Sequence, residues 1–232
     1  MKVILQFVVC LWSVVGFAQP VPTLTFTLDF PRSDPEHYVI RVQSDGKASY
    51  DSRTAMASAA TDSGNDSTDE PAAGSKDAQA SDLFHLDFML SARTAARVFE
   101  LAAKARYFQS PLETRHKGLA AMGQKTLAYR DAQRTGQATY NYSEQLPVQE
   151  LTQIFQTLAA TLDFARRLDY DHRYQKLALD QDLKRMEQMA KSHSLVELQA
   201  VAPILQQIVA DPSVINVVRS RAQALLQKAR TN

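Results

Sequence analysis

Cysteine is all but missing from this chain: one in 232 residues, Cys10, inside the first 18. Beyond that point there can be no disulfide, no thiolate metal site and no cysteine nucleophile. Glycine is scarce too. Seven residues, scattered singly, leave no glycine-rich loop to cradle a phosphate. Neither sign of charge is in excess. The 26 Lys plus Arg face 25 Asp plus Glu, a formal charge of +1, which excludes a strongly basic nucleic-acid binder on composition. No apolar run after the N-terminal segment is long enough to span a bilayer. Motifs of nucleophilic and zinc catalysis are missing as well. There is no Gly-x-Ser-x-Gly elbow and no His-Glu-x-x-His, and Lys125-Thr126 lacks the glycine of a Lys-Thr-Gly element.

What is present begins with an export signal. Lys2 supplies a positive start and Val3 to Phe17 a short apolar core. Gly16 and Ala18 are the small residues that a signal peptidase reads, which predicts a signal peptide over 1–18 and cleavage before Gln19. Cys10 follows Val9 in the middle of the run, so a lipid anchor is not expected. Without Lys2 the mature chain has 25 basic and 25 acidic residues. An exported protein of this size with no cysteine suits a bacterial envelope, periplasmic or secreted.

Thr23 to Phe30 alternates Leu24, Phe26, Leu28 and Phe30 with threonines and Asp29, the period of a half-buried strand. His37 to Val42 reads as a second strand. Asp45-Gly46 then turns the chain into Lys47 to Tyr50, a hairpin signal because both positions tolerate positive φ. Arg53 to Asp82 differs in kind: eight Ala, five Ser, three Thr, six acids, two bases and no aromatic. So little apolar surface predicts a disordered acidic insertion over 53–82, with a charge of −4. Alternation returns at Phe84 to Leu90. Ser91 caps a helix with the stripe Ala95, Val98, Phe99, Ala102 and Ala103. Strands are expected at 124–130 and 137–143. From Pro147 onward the pattern is helical: a stripe from Val148 to Leu168, then 173–191, then Leu195 to Val209. A last helix is expected to start at Asp211-Pro212.

Together these predict an α+β fold. An antiparallel sheet of about five to six strands with helices on one face occupies 19–168, and an all-helical extension follows over 169–232. The run Tyr38-Val39-Ile40-Arg41-Val42 into Asp45-Gly46-Lys47 and Tyr50, the helix ending at Tyr107-Phe108, and the late hairpin before a long helix resemble an uncharacterised family of exported bacterial envelope proteins. Similar modules occur in some lipoproteins. The resemblance covers about 23–168. It implies a sheet module and an envelope address and carries no catalytic residues.

Candidate chemistry is thin. His85 and Asp87 share one strand face, and Asp169, Asp171, His172 and His193 form a second ligand-type group. Neither completes a metal site, so no metal and no cofactor is expected. Asp180 and Asp182 fall on different helix faces, which gives no glycosidase dyad. Arg115-His116-Lys117 and Arg166-Arg167 are short basic runs, and Tyr129, Tyr140 and Tyr142 read as sheet core rather than a base-stacking platform. No nucleic-acid partner and no catalytic residue is assigned. Met186, Met189 and the stripes over 195–226 offer adaptable apolar contacts. The expected role is a non-catalytic binding or interaction module of the envelope, with another envelope protein as the expected partner of the C-terminal helices. An envelope hydrolase with an unrecognised site is the alternative.

Overall fold

The computed structural model describes residues 20–55, 81–114 and 122–231. The expected signal peptide over 1–18, most of the expected insertion (56–80) and the basic run 115–117 lie outside them. Among the described residues the sheet has six strands: β1 Thr23–Asp29, β2 His37–Gln43, β3 Lys47–Ala55, β4 Ser81–Met89, β5 Gln124–Arg130 and β6 Thr135–Tyr140. All pair antiparallel, in the order β4-β3-β2-β1-β5-β6. The α-helices are α1 Ala92–Lys104, α2 Leu146–Tyr174, α3 Leu179–Lys191, α4 Ala202–Ala210 and α5 Asn216–Thr231. The fold is α+β with a helical C-terminal region.

Alternation decides the sheet's inner face. Leu24, Phe26, Ile40, Val42, Tyr50, Leu127 and Tyr140 turn inward and are buried with α1 and the first half of α2. Phe26 stacks on Phe155 of α2, ring centroids 5.0 Å apart and planes 2° from parallel. The hairpin forms where expected: Gly46 sits at φ 89° and its N–H donates to the Gln43 carbonyl.

Several boundaries differ from the sequence reading. The span 53–82, expected as a disordered insertion, has strand at both of its ends. Arg53, Thr54 and Ala55 extend β3 and pair with Leu83, Asp82 and Ser81 of β4, because ladder bonds need backbone and not apolar side chains. The sixth strand runs 135–140 rather than 137–143. Asp131 makes the turn tighter by accepting from the N–H groups of Gln133 and Arg134. The long helix does not stop at Leu168. It continues to Tyr174, with Asp169 and Arg173 paired across one turn at 2.9 Å. The last helix starts at Asn216 and not at Asp211. The Asp211 carboxylate bonds Ser213, His172 and Lys176 and holds a turn there.

A second core lies beyond the sheet, built from Phe164, Ala165 and Leu168 of α2 with α3, α4 and α5. It also packs against Phe84 and Leu86 of β4. Helix α2 thus enters both cores. Glu197 fastens the two parts further. Its carboxylate accepts from Ser91 N at 2.8 Å and Ser91 Oγ at 2.7 Å, and from Thr94 Oγ1, at the N-terminus of α1. Ser91 itself caps that helix, accepting from Thr94 N. A negative charge at a helix start is favoured by the exposed N–H groups there.

Candidate functional site

A charged side chain is rarely buried, so its position is informative. Arg166, Asp171 and Asp182 are each less than a tenth exposed. All three meet at one seam, where the β1–β2 loop and α3 lie against α2. Asp163, Arg166, Arg167 and Asp171 recur at helical spacing along one side of α2. Arg166 Nη2 donates to Asp163 Oδ1 at 2.7 Å and to Asp34 Oδ1 of the β1–β2 loop at 2.8 Å. Thr54 Oγ1 also donates to Asp34. Burial works against charge on Arg166, and Asp163 and Asp34 beside it overcome that and hold it charged. Burial pushes the Asp163 carboxyl up.

On the other side of this network Arg167 grips Asp182 of α3 through both carboxylate oxygens, Nε to Oδ2 at 3.0 Å and Nη2 to Oδ1. Such a fork is the strong geometry for a guanidinium and a carboxylate. Asp171 stands beside the same carboxylate. Burial, and then the charge and hydrogen bonding of Asp182, push its carboxyl up to about 6. The Asp171 Oδ2 atom is buried and has no hydrogen-bond partner while both carboxyls are ionised. Protonation resolves this, since a neutral Asp171 can donate to Asp182.

The seam opens into a cleft of about 280 Å3 lined by Asp34, Arg166, Arg167, Tyr170, Asp171 and Gln181. An adjoining hollow of about 240 Å3 shares Asp34 and Arg167 and reaches Tyr50, Phe164, Arg185 and Met189. Here are buried charges with fixed geometry, two openings and an exposed tyrosine at the lip. The arrangement can hold a polar ligand without presenting a nucleophile.

Other candidates end in structural roles. His85 Nδ1 bonds Asp51 at 2.6 Å and its Nε2 lies 3.4 Å from Asp87, so both ring nitrogens are engaged. Asp51 and Asp87 outweigh the effect of burial and raise the pKa of this histidine. His172 turns away from Asp169 and Asp171 to Asp211, at 2.9 Å. No group of three or more metal-ligand side chains gathers among the described residues. Asp180 pairs with Lys184 and Arg221, away from Asp182. Tyr129 and Tyr140 are sheet core, and Met186 is buried in the second core. Along the 195–226 stripe, Leu195, Leu198, Leu205, Val214, Val218, Ala222 and Leu225 are buried within the chain, leaving Ile215 and Val217 exposed. Among the described residues no helix is long and apolar enough to cross a membrane.

Sequence reasoning did not single out Asp34 or Asp163. One signal was available: charges at 163, 166, 167 and 171 that recur at helical spacing beside the apolar stripe Leu158, Leu162, Ala165 and Leu168. No protein-family model matches the chain, and no curated protein compared with it does.

Proposed function

We propose that the protein is an exported, non-catalytic binding module of the bacterial cell envelope, and that it engages its ligand or partner at the seam between α2, α3 and the β1–β2 loop. The single observation that carries this reading is the buried network of Asp34, Asp163, Arg166, Arg167, Asp171 and Asp182 around an open cleft. Buried charges are costly unless paired, and pairing them beside an opening fixes polar groups in place for recognition. The apolar faces of α4 and α5 are largely covered within the chain, so among the C-terminal helices α3 offers the contact wall. The export signal at 1–18 and the resemblance over 23–168 support the envelope address. The hydrolase alternative is less well supported. Arg167 occupies both oxygens of Asp182, and Asp171 Oδ2 is buried, so neither presents a free carboxylate.

Site-specific photocrosslinking in the native host tests the reading. A photoreactive residue at Gln181, exposed on the cleft lip, is expected to give adducts that the same residue at Gln133, in the exposed β5–β6 turn, does not. Equal labelling at both positions, or none at Gln181, would overturn it. The N-terminus of the exported protein is expected at Gln19 by mass spectrometry.

A further inference from the structure

The two edges of the sheet differ in how they are closed. β6 is six residues long and carries Gly136 against the backbone of Tyr107. β4 is nine residues long and pairs with β3 in an unbroken register from Ser81 to Met89. No other strand lies beside it among the described residues. Open edges are ordinarily blunted by proline, lysine or a bulge. None of these occurs from 81 to 89. Instead the outer face of this strand shows Leu83, 74% exposed, and Met89, 54% exposed, with His85 and Asp87 between them. On the helix side Phe84 and Leu86 keep part of their surface open as well.

The ladder fixes which backbone groups are free. The Leu90 N–H donates to the Gly46 carbonyl, one step beyond the Lys47–Met89 pair. Facing residues of an antiparallel pair alternate between hydrogen-bonded and non-hydrogen-bonded. The N–H and C=O groups of Phe84, Leu86 and Phe88 are therefore turned to β3, and those of Leu83, His85, Asp87 and Met89 to the open edge. An added strand must bond to these four. A second β4 running antiparallel can do so with the same four residues, centred on His85, on Leu86 or on Asp87. Centred on His85, the two histidines face each other and Leu83 faces Asp87. Centred on Asp87, two carboxylates stand directly opposite, which is destabilising. Centred on Leu86, Leu83 faces Met89 and His85 faces Asp87, with Phe84 facing Phe88 behind them.

We propose that β4 is the contact edge of a homodimer, in which two copies of this chain join their sheets antiparallel about Leu86. Every pair is then made twice, as a two-fold contact requires. His85 keeps Nδ1 on its own Asp51 at 2.6 Å. Its Nε2, a loose 3.4 Å from its own Asp87, gains the Asp87 carboxylate of the second copy. The exposed Leu83 and Met89 side chains cover each other. A strand of unrelated sequence would gain the backbone bonds without these pairs, so the complementarity selects a second copy. The contact does not use the seam between α2 and α3.

Sedimentation velocity of the purified exported chain at rising concentration tests it, and the parent is expected to reach twice its monomer mass. Leu83→Lys, at an exposed position, should raise the dimer dissociation constant about tenfold or more and leave the melting temperature of the monomer unchanged. Gln137→Lys, exposed on the opposite edge, should leave the constant unchanged. Beyond residue 18 the chain has no cysteine, so an introduced one reports the register. Leu86→Cys should form an intermolecular disulfide, because facing Cα atoms of a non-hydrogen-bonded pair lie about 4.5 Å apart. His85→Cys and Asp87→Cys should form little. If Leu86→Cys does not fold, Leu83→Cys combined with Met89→Cys, both at exposed positions, makes the same test. Faster crosslinking from His85→Cys or Asp87→Cys overturns the register. A dimer indifferent to Leu83→Lys overturns the edge. A parent that stays monomeric up to about 1 mM overturns the second copy as occupant. If replacing 56–80 by Asn-Gly then produces the dimer, the occupant in the parent is that segment of the chain itself.

Discussion

Replacing Asp171 by Asn tests the shared-proton account of the α2–α3 contact. In the folded protein the carboxyl is pushed from 3.8 to about 6 by burial and by Asp182. Two units correspond to about 3 kcal/mol. The cleft is open to water on one side, and screening reduces this to about 1–2 kcal/mol. The sign follows from which state holds the proton more tightly. Below about pH 4 Asp171 is protonated both folded and unfolded, and it contributes no pH dependence. Between about 4 and 6 the unfolded chain releases the proton and the folded chain keeps it, so stability falls as pH rises. Above the folded value the loss is complete. An asparagine in the same place is neutral throughout and its Nδ2–H can still donate to Asp182.

The two proteins should therefore be about equally stable at pH 4, and Asp171→Asn should be more stable by about 1–2 kcal/mol at pH 8. For a chain of this size that is about 2–4 °C in melting temperature per kcal/mol. Urea denaturation of both proteins at half-unit intervals from pH 4 to 8 measures it. Carboxylates away from this pair contribute alike to both, so the difference curve isolates the Asp171–Asp182 pair. A flat difference curve, or a parent that gains on the variant as pH rises, would refute the reasoning.

Three further outcomes are expected. Gly136→Ala should cost at least about 2 kcal/mol by denaturant melts, because a Cβ there would collide with the Tyr107 backbone carbonyl, in a turn whose residues 106–108 all hold positive φ; a neutral effect would mean that this turn yields freely. Glu197→Gln should destabilise by about 1–2 kcal/mol through loss of the charge at the α1 N-terminus, and a change below about 0.3 kcal/mol would remove its role in joining the two parts. Phe155→Ala, in the sheet core, and Leu205→Ala, in the helical core, should each cost about 2–5 kcal/mol and shift one common transition, since α2 belongs to both cores; two transitions moving separately would contradict that.

Legibility followed the range of the interactions. Period-two alternation placed Leu24, Phe26 and Leu28 inside because each strand's faces are set residue by residue. Asp45-Gly46 named its hairpin because the turn needs positive φ at Gly46 and nothing distant. Composition misjudged the ends of β3 and β4, since Arg53 to Ala55 pair through backbone that composition does not describe. Asp211-Pro212 has the residues of a helix start, and Asp211 does accept from Ser213 N, yet its ties to His172 and Lys176 belong to a turn and the helix begins only at Asn216. The seam was least visible of all. Arg166 and Asp34 are 132 residues apart, and two adjacent arginines in a sequence look alike whether they face water or a buried carboxylate.

That network could serve only to hold the chain together, and its place at an opening argues otherwise. A purely structural network is expected to satisfy its members, because a buried donor or acceptor without a partner costs about 1–3 kcal/mol. Among the described residues four buried side-chain atoms lack a partner, and they belong to Tyr50, Ser52, Asp171 and Arg219. Protonation accounts for Asp171. Tyr50 and Ser52 project from the same face of β3 as Thr54, whose hydroxyl reaches Asp34 at the seam. The Tyr50 and Ser52 hydroxyls stand two residues apart on that face, close enough to interact with each other, so they call for no ligand. What packing leaves unexplained is the opening: Asp34, Arg166, Arg167 and Asp171 line a cleft of about 280 Å3, and charges held in fixed geometry at an opening are what a polar ligand can recognise. Crosslinks from Gln181 that Gln133 does not give separate recognition from packing.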